Sequence, residues 1–421
     1  MEEKYRFGAN EGKKIKTKNG AELTVEYRSV VLDPKNRYFV NKGEPFVANH
    51  ASYPAITELC YQSDAKNNGK LITTLSASAV EGDSSTVACV MMSEDEGRTW
   101  ECIARPKEVL FPELRSVGSM AHIYELPVKI GDMPAGTLLY SYNSVNYGNR
   151  EDRKSGHSIL AVWRSFDCGY TWEEYVVIDE AGGILEGIWE PFMTYCEEDG
   201  YLYCIYSDDS DPDHDQKISY KRTKDGINWE GENGKIGTGT GKDVEPVDMI
   251  AMDFVECRPG MPVVTKLGSG EYFMVYEHFA RAPGPGSGCP IRYRKSRDLA
   301  DWGEANDCGT IIKDAEGREM YSAPCCIWTP HGGDCGTIIV TAKSASNQNR
   351  ILLSFDYGET WESVEDPLGS KVTDKVGNRL GYSAGLWLSE DKKYIYYVNS
   401  TNSENDPEGA QMIAFAKLSI K

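Results

Sequence analysis

Three acidic side chains stand out because apolar, strand-like sequence surrounds them. Gly187–Phe192 reads GIWEPF and sets Glu190 between Trp189, Pro191 and Phe192. Burial among such neighbours disfavours the anion, raises the carboxyl pKa and suits a proton-holding general acid; a capped or salt-bridged structural glutamate is the plainer alternative. Asp253–Val264 reads DFVECRPGMPVV, where Glu256 and Arg258 stand two residues apart. On a strand that spacing puts both on one face, and the guanidinium keeps the carboxylate ionised. A surface ion pair would have the same spacing. One protonated and one ionised carboxyl about 5 Å apart are the acid/base and nucleophile of retaining glycoside hydrolysis. Tyr272–His278 reads YFMVYEH and ends its apolar run in Glu277, suited equally to supporting catalysis, to binding a sugar hydroxyl or to simple capping.

Further polar groups flank strand-like runs: Asn49, His50 and Tyr53 before Pro54, Arg115 and His122, and Tyr321 and Tyr382. Together with Trp189 and Arg258 they offer aromatic faces and hydrogen-bond donors, which is what recognition of a neutral sugar ring requires. Each alone is more often a satisfied strand residue than a ligand contact.

A repeated motif indicates what positions these groups. Ser93–Trp100 (SEDEGRTW), Ser165–Trp172 (SFDCGYTW) and Ser354–Trp361 (SFDYGETW) share Ser-x-Asp-x-Gly-x-Thr-Trp, and Thr223–Trp229 (TKDGINW) and Ser296–Trp302 (SRDLADW) are degenerate copies. The spacing, about 58 to 73 residues, is that of a four-stranded propeller blade. In the full pattern the aspartate accepts backbone N–H groups of its own turn, the glycine supplies a positive φ, and the threonine and tryptophan start the next strand. The motif therefore staples hairpins away from the axis and reports fold rather than chemistry. Strand-like runs such as Leu71–Leu75, Leu202–Ser207 and Thr337–Ala342 recur between turn signals, with no competing long helical period. The expectation is an all-β, six-bladed propeller spanning 1–421 as a single domain. Gly381–Lys421 forms the sixth blade, and an N-terminal strand near Ala21–Val31 closes the ring; five or seven blades are the alternatives.

A formal net charge of −20 argues against nucleic acid and anionic membranes as partners. No apolar run is long enough to span a membrane, and the N-terminal MEEKYRFGANEGKK lacks the core of a signal peptide. The sequence as it stands reads as cytoplasmic, and a chain from which an export signal had been removed would be secreted. The twelve cysteines are mostly single and suit reduced thiols, and neither Cys257 nor the Cys325-Cys326 pair has zinc-ligand spacing. No metal or cofactor is implied, and the oligomeric state is open.

The motif copies resemble those of the sialidase-like superfamily and of other Asp-box proteins, many of them not enzymes. GIWEPF, ECRPGMPVV at Glu256–Val264 and YFMVYE at Tyr272–Glu277 are similar to segments of the exo-arabinanases of glycoside hydrolase family 93. The resemblance runs from about Tyr53 to the C-terminus. It implies a six-bladed propeller, net retention, and release of arabinobiose from the non-reducing end of α-1,5-linked L-arabinan, with Glu190 and Glu256 matching the two catalytic carboxylates. A sialidase is the alternative enzyme: it requires three arginines, here Arg115, Arg258 and Arg281, and a tyrosine nucleophile, Tyr321 or Tyr382, but no Arg-Ile-Pro motif is present. A non-catalytic propeller that binds glycans or proteins is the alternative of another class.

Overall fold

A computed structural model describes residues 12–421 apart from 35, 80–85, 115, 149–154, 184–185, 254–256, 281–288, 347, 370–382 and 403–410, and apart from the side chains of 49, 50, 78, 79 and 280. Six antiparallel sheets form the blades of a β-propeller. Blades one to five each have four strands in chain order, opened by the inner strands Ala48–Glu58, Ser116–Glu125, Ile188–Tyr195, Cys257–Lys266 and Tyr321–Thr329. In the sixth, Gly385–Leu388, Ile395–Thr401 and Met412–Ile420 are followed by Glu22–Leu32 and then Lys13–Lys16. The N-terminal strand thus lies beside the C-terminal one, with Leu23 opposite Ile420 and Arg28 opposite Ala416.

Sequence patterning explains why the blades stack. Second strands such as Leu202–Asp208 and Thr337–Lys343 are buried along their whole length, because each is covered by a neighbouring blade on both faces. The buried apolar residues fall into six clusters, one between each pair of adjacent blades, including one between the sixth and the first. The ring is closed.

The three full motif copies form staples with the same hydrogen bonds on the turn between third and fourth strands. In the first, Asp95 Oδ1 accepts the Thr99 N–H (2.8 Å), Oδ2 accepts the Thr99 hydroxyl (2.7 Å), and Ser93 Oγ accepts the Gly97 N–H (2.7 Å). Asp167 with Thr171 and Asp356 with Thr360 repeat the arrangement. Gly97 has φ of +92°, and a Cβ there would collide with the Phe415 ring of the sixth blade.

The inner strands share an irregularity that points at the axis. Tyr53, Met120, Glu190, Met261 and Ser322 have φ between +49° and +59°, as does Ser383 just ahead of the sixth inner strand. In blades one to four two residues at this point face one on the second strand, as where Trp189 pairs with Ser207 and Phe192 with Ile205. These are β-bulges, which bend a strand and re-aim a side chain. Three are followed by proline (Pro54, Pro191 and Pro262), and in blade five Pro324 stands two residues after Ser322; proline lacks an N–H and so loses no ladder bond where pairing breaks.

Candidate active site

Residues at the starts of the inner strands surround a cavity of about 490 Å³, whose walls include Tyr53, Trp189, Glu190, Arg258 and Glu277. Below it, a largely apolar space of about 380 Å³ follows the axis between all six inner strands.

Glu190 occupies the bulge of blade three. Its Oε2 accepts the hydroxyl of Ser207 (2.8 Å), and the same hydroxyl oxygen accepts the N–H of Met261 (3.0 Å), at the bulge of blade four. One serine therefore fixes the carboxyl against two blades. Burial pushes the Glu190 carboxyl up to about 8; the charges of Glu277 and Asp209 add to the rise, and the Ser207 hydrogen bond and Arg258 oppose it. The group holds its proton at neutral pH.

Glu277 stands within the second strand of blade four, Tyr272–Ala280, and its Oε2 accepts the N–H of Ala323 (2.8 Å) from blade five. Burial raises its pKa against that bond, the Cys289 thiol and the positive charges of Lys343 and Arg258. Lys343 is itself buried, which lowers its ammonium to about 8 despite Glu277.

Arg258 meets an unanticipated partner. Its Nη2 donates to Asp209 Oδ2 (2.7 Å) and to Gln216 Oε1 (2.6 Å). Asp209, 1% exposed, also accepts the indole N–H of Trp189 (3.1 Å), which fixes that ring on the cavity wall. Burial raises the Asp209 carboxyl to about 6 in spite of Arg258 and Trp189, and its Oδ1 has no hydrogen-bond partner among the described residues. Gln216 Nε2 donates to Pro259 O (2.8 Å), and a Cβ on Gly260 would collide with that amide. The glycine of RPGMP thus makes room for the group that holds the arginine.

The anticipated residues divide into three sets. Tyr53, Trp189, Glu190, Arg258 and Glu277 converge on the cavity. His122 instead lines the axial space and is a cross-blade staple: its Nδ1 accepts the Met193 N–H (3.1 Å), and burial depresses its pKa to about 3, so it is neutral. Tyr321 is not among the cavity residues, because the bulge turns its neighbour Ser322 inward; Tyr321 itself bridges to Pro290 and pairs with Lys343. Glu256, Arg115, Tyr382 and Arg281 lie outside the described residues, as does the side chain of His50. The carboxylate expected to depend on Arg258 was Glu256; the one it holds among the described residues is Asp209. Reading the sequence also passed over Asp209, Gln216, Ser207 and Cys289. Asp209 closes LYCIYSDD, an apolar strand ending in acids, the same signal that had marked Glu277.

All twelve cysteines are free, and the described residues contain no group of three or more His, Cys, Asp or Glu placed to hold a metal ion. No helix among them is long and apolar enough to cross a membrane, which leaves strands untested.

Solved structures share this architecture over nearly the whole chain. The Penicillium chrysogenum α-L-arabinanase complexed with arabinobiose is 25% identical with a TM-score of 0.70, covering 89% of this chain and 94% of that one. The family 93 α-L-arabinofuranosidase of Fusarium graminearum, also with arabinobiose, is 25% identical with a TM-score of 0.71, covering 93% and 97%. Trypanosoma rangeli sialidase, 12% identical with a TM-score of 0.52, shares the fold over 93% of this chain and 59% of its own. No family model and no curated protein matches the sequence. The fold and the carboxyl-lined cavity are those of a sialidase-like propeller glycosidase. Within that class the chain is a glycoside hydrolase similar to family 93.

Proposed function

We propose that this glycosidase acts on α-1,5-linked L-arabinan, from the non-reducing end and with retention, releasing arabinobiose or a similarly short sugar. The observation that carries the reading is the match, over nine-tenths of both chains, to arabinan-type enzymes holding arabinobiose. The cavity of about 490 Å³ at one end of the axis has room for a short sugar, in keeping with a short product.

In this mechanism Glu190 gives its proton to the glycosidic oxygen while Glu256 attacks the anomeric carbon, forming a glycosyl-enzyme and releasing the shortened chain. Glu190, now anionic, takes a proton from the incoming water, whose oxygen displaces Glu256. Trp189 offers an aromatic face to a sugar ring, and Arg258, held by Asp209 and Gln216, supplies donors to hydroxyls. Incubation with debranched arabinan, with products resolved by chromatography and the first anomer identified by NMR, tests each part. Arabinobiose of retained configuration is expected. Inverted product removes the double displacement, and release of sugar from a sialoside but not from arabinan removes the substrate assignment.

A further inference from the structure

A second cavity, of about 370 Å³, opens at the other end of the axis. It is built from the ends of the inner strands and the turns that follow: Tyr195 and Glu197 on blade three, Lys266 on blade four, and Trp387 and Glu390 on blade six, with Tyr61 from blade one. Arg258 and Lys266 begin and end one strand, so about 3.3 Å per residue puts the two cavities roughly 25 Å apart.

Several of its polar groups are idle. The hydroxyls of Tyr61 and Tyr195, the indole N–H of Trp387 and the carboxylate of Glu197 have no hydrogen-bond partner among the described residues. Tyr61 is 44% exposed. Other groups of the lining are committed. Glu125 accepts the N–H groups of Cys60 and Tyr61, and Glu198 pairs with Lys266 and accepts the Tyr272 hydroxyl. What remains available is aromatic surface with donors and acceptors around it and little net positive charge. That chemistry fits a neutral sugar ring and rejects an anion.

We propose that this rear cavity is a non-catalytic carbohydrate-binding site that holds a neutral oligosaccharide, either a distant part of the polymer under attack or another chain of it. The choice of arabinan as probe rests on the function proposed above; the site itself does not. Affinity electrophoresis through gels containing debranched arabinan reads it directly, with Glu190→Gln protein so that the polymer stays intact. Adding Tyr61→Ala or Trp387→Ala should remove at least half of the retardation. The same two substitutions in the active enzyme should leave turnover of arabinotriose, too short to reach both cavities, unchanged while raising KM for the polymer several-fold. Should Trp387→Ala fail to fold, the Tyr61→Ala/Glu197→Gln double variant takes its place. Undiminished retardation in folded variants, no retardation of the Glu190→Gln protein at all, or retardation abolished by high salt overturns the proposal. Failure to hydrolyse arabinotriose would overturn the catalytic reading instead, since retardation is scored without turnover.

Discussion

At Glu190 two opposed needs meet in one side chain: an acid must keep its proton near neutral pH, yet sit within reach of the donors that orient it. Burial and the Glu277 charge satisfy the first and Ser207 the second. Glu190→Gln should lower kcat about a thousandfold or more with the fold intact, measured on arabinan alongside circular dichroism. In the proposed mechanism the protonated form is the active one, so kcat/KM should fall as pH rises through about 8. Glu277→Gln removes a negative neighbour and should move that basic limb to lower pH. Stability carries the same signature. The folded state holds the Glu190 proton to higher pH than the unfolded chain, so between about 4.5 and about 8 ionisation destabilises the native protein as pH rises. Glu190→Gln should therefore raise Tm more at pH 9 than at pH 5, and a pH-independent difference would refute the assigned shift. The sequence marked this residue because an isolated acid in an apolar strand has few structural excuses, and the fold places it on the cavity wall. Asp209 stayed hidden because Asp208-Asp209-Ser210-Asp211 reads as a solvated turn, and only the fold shows that its second carboxylate turns inward to Arg258 and Trp189. Asp209→Asn should raise KM several-fold with a smaller effect on kcat, since it loosens a wall of the cavity rather than the reacting groups.

The elements that aim these side chains are the bulged inner strands, and they were partly written in the sequence. Proline in an apolar strand demotes it or marks a bulge, and Tyr53-Pro54, Glu190-Pro191, Met261-Pro262 and Ala323-Pro324 repeat that mark in four blades. What the pattern does not contain is direction. At Tyr321-Ser322 the bulge exchanges which of two adjacent side chains faces the axis, because a strand's faces alternate residue by residue. Gly260→Ala should drive the Gln216 amide away from Pro259 and unseat Arg258, raising KM with a modest fall in Tm. The hairpin staples belong to the other side of the blade and predict the opposite outcome. Asp356→Ala removes charge-assisted bonds to Thr360 and should destabilise by about 1–3 kcal/mol in denaturant titration, with kcat unchanged.

For the whole molecule, blade number was legible because motif spacing counts blades, and ring closure was legible because a boxless C-terminal unit lacked an outer strand. Deleting residues 1–32 should expose Met412–Ile420, buried along its whole length, and give insoluble protein or a Tm lower by roughly 10 °C or more. The six interblade clusters have a kinetic consequence. An open row of six repeats has five interfaces and can fray from either end, one contact at a time. A closed row has six and no end, so the first blade to leave must break two contacts at once. The barrier to that first departure, more than the depth of the folded well, sets how long the enzyme survives proteases and heat.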